Sequence, residues 1–277
     1  MRDVDVRTTL RSIIVCMLRA VLTTLVVVAM MPATPALAVN YGRDWGTNWN
    51  RYPWYDLTFL QSAQRAAEQQ AGRSPNYDTA YGSNIMANSV VYWMRKADAV
   101  AISLDSHALA DTSLNASWIT FVNDANQVSC LATKSLGSPH WHLVGDYGGQ
   151  GLCQLPKLTS ELQGVSDGAQ IVMLTACQTA ANDGANSKGL ATRVYYDLDP
   201  ALVVYGFTGF IGTQDDGNGN DIIGRRWEYV FWQDMAASHS VAYAQSDAKG
   251  SIFDTFSGYY AYDTGTYMGS GDYKLPY

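Results

Sequence analysis

Three short apolar runs constrain this chain more than any other feature. Ala99-Val100-Ala101-Ile102-Ser103-Leu104, Ile171-Val172-Met173-Leu174-Thr175 and Ala201-Leu202-Val203-Val204-Tyr205-Gly206-Phe207 are apolar at odd and even positions alike. Runs of this length and composition read as strands covered on both faces. Between and around them lie stretches with helical spacing. Residues 57–70 carry Leu57, Leu60, Ala63 and Ala67 on one face, with Gly72 as the stop, and residues 83–96 repeat the pattern through Ile85, Ser89, Val90 and Trp93. Residues 189–197 and 225–249 follow, the latter divided near Ser238. Buried strands alternating with amphipathic helices specify an α/β sandwich around a mainly parallel sheet. Residues 40–56 read as loop with a short strand, and 109–160 as irregular chain with short strands at 118–122 and 142–144.

The first 38 residues read as an export signal. Arg2, Arg7, Arg11 and Arg19 supply a positive region, 21–31 an apolar core, and Ala36-Leu37-Ala38 a cleavage site, so the mature chain is expected to start at Val39. That leaves 39–277 as one domain, secreted or periplasmic, without stable membrane insertion after cleavage. The whole chain is 47% apolar and 16% charged, which excludes a disordered protein. Removing the leader's four arginines and two aspartates leaves 14 basic and 23 acidic residues, net −9. An acidic chain with no basic stripe is a poor partner for nucleic acid. Cys16 leaves with the leader. Of the three cysteines that remain, Cys130 and Cys153 are the candidate disulfide, and Cys177 is the candidate thiol.

In sheets of this kind ligands bind at the carboxyl ends of the strands. The first apolar run leads into Asp105-Ser106-His107 and the second into Ala176-Cys177. A thiol attacks as its thiolate, and a neighbouring imidazole favours that form and handles the proton. His107 and Cys177 stand 70 residues apart, so only the fold can join them. The alternative reading of the two is a capping histidine and a core cysteine.

The segment from Ala97 through Ser106-His107-Ala108 resembles the histidine block of caspase-like (clan CD) cysteine peptidases, where a hydrophobic strand runs into His-Gly. Thr175-Ala176-Cys177-Gln178-Thr179-Ala180, at the end of its strand, is similar to the cysteine block, which in CHAT-type members reads Ser-Ala-Cys-Glu-Thr-Gly. Gly189-Leu190-Ala191, then Val203-Val204-Tyr205-Gly206-Phe207, are similar to the helix and strand that follow. Gly271-Asp272-Tyr273 faintly resembles the Gly-Asp-Pro ending of gingipain-like members. The likeness covers about residues 55–275. It implies a three-layer α/β/α sandwich and peptide-bond hydrolysis by acyl transfer, with no required cofactor and a protein or peptide as substrate. Cys177 would be the nucleophile and His107 the general acid. The backbone N–H groups of Cys177 and Ala108 would form the oxyanion hole. The chain departs from the pattern at Ala108, where glycine would be free to adopt angles that alanine avoids.

Other features support weaker readings. His140 and His142 form an H-x-H pair that zinc could use with Asp146. The oxygen-rich loop Asp215, Asp216, Asn218, Asn220 and Asp221 leaves room for a calcium ion but fails the EF-hand frame, having Asp221 where glycine is needed and Trp227 where Glu is needed. Trp45, Trp49 and Trp54 suit either a core edge or a sugar platform, and Asn115-Ala116-Ser117 is a glycosylation sequon. The leading expectation is an exported cysteine peptidase. Its alternatives are an inactive caspase-like binding module at the cell surface and a carbohydrate-active protein.

Overall fold

A computed structural model describes residues 43–46, 80–81, 86–95, 101–122, 127–136, 153, 155–164, 168–199, 201–209, 222–255 and 264–275. The leader, the 57–70 helix, the 142–144 strand and the Asp215 to Asp221 loop lie outside these residues. The described elements all belong to the unit Val39–Tyr277.

Six strands form the main sheet: β1 (Arg43–Gly46), β2 (Ala80–Tyr81), β3 (Ala101–Asp105), β8 (Ile171–Thr175), β9 (Val203–Phe207) and β10 (Gly265–Gly269). Their order is β10-β9-β8-β3-β1-β2. All neighbours are parallel except β10, which runs antiparallel to β9. Alternation along β8 explains the layering. Val172 and Leu174 join Ile102 and Leu104 in a core with helices α1 (Ala87–Met94) and α2 (Gly189–Asp197), while Ile171 and Met173 join a second core with α3 (Ile222–Ala236) and α4 (Val241–Thr255). This is the α/β/α sandwich, with a mainly parallel sheet, that the caspase-like resemblance implies.

Helix α2 spans the residues read from the sequence. The first helix differs in its inner face. Ala87, Val90, Val91 and Met94 are buried at helical spacing, while Ser89 and Trp93 are only half-buried. Ser129 of β6 (Val128–Ala132) caps this helix, accepting from the Ala87 N–H at 2.9 Å. The break near Ser238 separates α3 from α4. Ser238 takes φ +63°, its N–H donates to Met235 O, and the His239 N–H donates to Asp234 O. That pair of bonds is a Schellman ending, here with serine in the position usually held by glycine.

The stretch read as irregular contains a second sheet. Strands β4 (His107–Asp111), β5 (Ala116–Val122), β6 and β7 (Leu155–Leu158) lie in the order β4-β5-β6-β7, antiparallel until the parallel β6–β7 pair. Ile119 and Phe121 of β5 pack into the main core, and Ala116 and Trp118 face a small separate cluster with Cys130 and Cys153. Those two cysteines form a disulfide, with Cα atoms 6.0 Å apart.

The α3–α4 junction carries a titratable group set against its surroundings. Burial raises the Asp234 pKa, the His239 hydrogen bond at 2.9 Å opposes that, and the charge and hydrogen bond of Asp247 add to it. The net shift is upward, so protonation favours the folded state. This contribution is full below the ordinary aspartate value, about 3.9, and is lost as pH rises through the raised folded value. Asp234→Asn is therefore expected to be more stabilising, relative to the natural protein, at pH 7 than at pH 4 when both are unfolded in urea.

Candidate active site

The site is built at the carboxyl ends of β3 and β8. Five residues of each strand are in register, ending with Asp105 opposite Thr175. His107 follows Asp105 by two residues and Cys177 follows Thr175 by two. The two residues thus leave a matched pair of neighbouring strand ends by equal steps. Strand order reverses between β1 and β3, so these ends stand beside the switch point at which open sheets form crevices.

Ser106 shapes the histidine side. Its N–H donates to Thr175 O at 3.2 Å, and its buried hydroxyl donates to Thr120 O of β5. One residue therefore ties the end of β3 both to β8 and to the second sheet, where the chain turns from one to the other. His107 opens β4 in register with Thr120. Ala108 comes next, in the strand and paired with Ile119. Its backbone is extended and not among the positive-φ residues. Among the described strands β4 stands at the edge of its sheet, and along an edge alternate N–H groups point away from the sheet.

The cysteine side is held by Thr179. Its hydroxyl donates to Leu174 O at 3.0 Å and Ala176 O at 3.2 Å, and accepts from the Phe207 N–H at 3.0 Å. The Ala180 N–H donates to Phe207 O at 2.8 Å, which sews the turn to β9. Gly206 permits that approach. A Cβ there would stand 2.8 Å from Thr179 Oγ1 and 3.2 Å from Ala180 Cβ. Gln178 takes φ +56°, held by its N–H to Gly209 O at 2.9 Å. Left-handed backbone on a non-glycine residue costs about 1–2 kcal/mol, and such outliers cluster at functional turns. Cys177 keeps its thiol and is half-buried at this turn.

The other sequence candidates stand apart from this site or outside the described residues. The sequon's Asn115 lies exposed in the Thr112 to Asn115 turn at φ +49°, whereas Ser117 is buried in β5. His140, His142, Asp146, Asp215, Asp216, Asn218 and Asn220 lie outside the described residues, as do Trp49 and Trp54. Among the described residues no group of three or more His, Cys, Asp or Glu is arranged to hold a metal, and no helix is long and apolar enough to cross a membrane. Sequence reasoning missed Ser106 and Thr179. Both sit next to, or within two residues of, the candidate pair, and their roles depend on partners that are distant in sequence.

No family model matches the chain. No curated protein matches it either. Among solved structures, the crystal structure of the Saccharomyces cerevisiae separase–securin complex contains a chain similar to this one at 12% identity and a TM-score of 0.44, over 83% of this chain and 12% of that one.

Thr179→Val keeps the shape of the side chain and removes its hydroxyl, leaving the buried Phe207 N–H without its acceptor. It is expected to destabilise the protein by about 1–3 kcal/mol in urea unfolding.

Proposed function

We propose that this chain is an exported cysteine peptidase using Cys177 and His107. The observation that carries this reading is the register of β3 and β8, which brings the two residues off adjacent strand ends at equal steps. The half-buried thiol at a tightly held turn supports it. So does the resemblance of both blocks to caspase-like peptidases.

In this reading the Cys177 thiolate attacks the carbonyl carbon of a peptide bond. The carbonyl oxygen becomes an oxyanion that accepts from the backbone N–H groups of Cys177 and Ala108, which act on charge present only after attack. The C–N bond then breaks, and the protonated His107 imidazole gives its proton to the departing amine. The acyl group remains on sulfur as a thioester. Water, losing a proton to His107, attacks the thioester carbon and releases the carboxylic acid and the Cys177 thiolate, which leaves His107 protonated for the next cycle. This cycle needs no metal. The Asp215 to Asp221 loop leaves a calcium ion as a structural addition to it. The leader motif and the Cys130–Cys153 disulfide support an extracytoplasmic site of action.

The test expresses the protein with its leader and assays material recovered outside the cytoplasm against a mixed peptide library, under reducing conditions, with and without calcium. The natural protein is expected to cleave. Cys177→Ala and His107→Ala are expected to lose cleavage by at least about 1,000-fold, as losses of covalent catalysts do. Folded protein that cleaves nothing in either condition would favour a non-catalytic binding module. Cleavage that survives Cys177→Ala would overturn the assignment of the nucleophile.

A further inference from the structure

The β3–β8 seam holds the starting points of the candidate pair, but their paths then diverge. His107 enters the second sheet, while Cys177 enters the turn and the loop that lead to α2. A third contact rejoins the two paths. Asp183, six residues after Cys177, has no exposed surface. Its Oδ1 accepts from the Ala185 N–H at 3.0 Å, the Asn186 N–H at 2.7 Å and Asn186 Nδ2 at 3.3 Å. Its Oδ2 accepts from Asn186 Nδ2 at 3.2 Å, Ser117 Oγ at 3.0 Å and Thr133 Oγ1 at 3.5 Å.

These partners fall into two groups. Ala185 and Asn186 belong to the loop that follows Cys177. Ser117 lies in β5, the strand paired with the one His107 opens, and Thr133 just follows β6. Ser117 and Thr133 are themselves joined, through the Thr133 N–H to Ser117 O at 2.9 Å and the Ser117 N–H to Thr133 Oγ1 at 3.0 Å. One carboxylate therefore gathers the nucleophile's loop and the histidine's sheet onto a single point. The backbone follows suit next door. Gly184 takes φ +87°, and a Cβ there would stand 2.5 Å from Asn115 Oδ1 and 3.1 Å from Thr112 O, in the turn that joins β4 to β5.

We infer that Asp183 is a positioning residue for the Cys177–His107 pair, fixing the distance between the turn that carries the thiol and the hairpin that begins at the histidine. The inference rests on the cysteine peptidase reading. A buried carboxylate with donors on both sides is suited to this role, because losing it strands buried donors on two elements at once. A misplacement of about 1 Å between reacting groups can cost about 100-fold in rate.

Asp183→Asn is the main variant, because it keeps the side chain's shape while putting an NH2 where the donors need an acceptor. The control is Asp197→Asn. Asp197 is also buried and hydrogen-bonded, to Gln163 and Arg193, but it closes α2 at the end away from the site. Two readouts are taken on purified protein. One is the split between kcat and KM on a cleaved peptide. The other is the rate of Cys177 alkylation by iodoacetamide at pH 6, where an ordinary thiol, with pKa about 8.5, is almost wholly protonated.

Asp183→Asn is expected to lower both kcat and the alkylation rate by about 10- to 100-fold, with KM changed less than kcat, while Asp197→Asn lowers the melting temperature and moves neither rate. Should Asp183→Asn fail to fold, Ser117→Ala removes a sheet-side donor to Asp183 while leaving the Ser117 N–H bond to Thr133 Oγ1 in place, and carries the same expectation. The inference is overturned if the folded variants keep natural rates, or if Asp197→Asn slows both rates to the same degree. Failure of the underlying reading looks different: the natural protein itself would then be alkylated no faster than glutathione and would cleave no peptide.

Discussion

The parallel pairing of β3 with β8 fixes five residue pairs, from Ala101 with Ile171 to Asp105 with Thr175, and continues one step further through the Ser106 N–H to Thr175 O. β8 is buried on both faces, and Ile102 and Leu104 of β3 are buried on the face they share with it. Ile102, Leu104, Val172 and Leu174 pack into the α1–α2 layer, and Ile171 and Met173 into the α3–α4 layer. A slip of one residue would exchange the two sets of β8 between layers of different shape. The register is thus set by packing along the whole strand, and the strand ends inherit it. What happens at His107 and Cys177 follows from that inheritance.

Beyond the seam, polar contacts take over. Ser106 joins β3 to β5, Thr179 joins the Cys177 turn to β9, and Asp183 joins the following loop to β5 and Thr133. Each is buried. Buried polar groups of this kind are costly unless fully satisfied, and when satisfied they admit one arrangement. The apolar core defines a sandwich, and these few hydroxyls and one carboxylate define how its two sheets meet at the site.

Much of the sandwich could be read directly. The run at 171–175 is apolar at every position before its threonine and became β8 with the same bounds, and the glycine opening 189–197 marked the start of α2. Ser238 was visible as a break because the helical pattern lapses there. The second sheet was not legible as a sheet. β4 reads His107-Ala108-Leu109-Ala110-Asp111, without the β-branched residues that announce a strand, and it is held by pairing with β5 rather than by its own preference. The inner face of α1 was shifted because Ala87 and Met94 are weak signals beside Trp93, whose ring lies only half-covered. At the site, the residue types at His107 and Cys177 were legible, and the pairing of the strand ends that lead to them was not, since register is a property of two strands. Asn182-Asp183-Gly184-Ala185-Asn186 has the composition of a solvated turn, and nothing local reveals that Asp183 is buried.

In the proposed function an imidazole stands beside the Cys177 sulfur. The most direct measurement compares alkylation of Cys177 by anionic iodoacetate and by neutral iodoacetamide at pH 6, in the natural protein and in His107→Ala. A neighbouring imidazolium draws the anionic reagent and sustains the thiolate. The expected result is a ratio of iodoacetate to iodoacetamide rates that falls in His107→Ala, together with a fall in both rates. Equal ratios and equal rates in the two folded proteins would contradict the account.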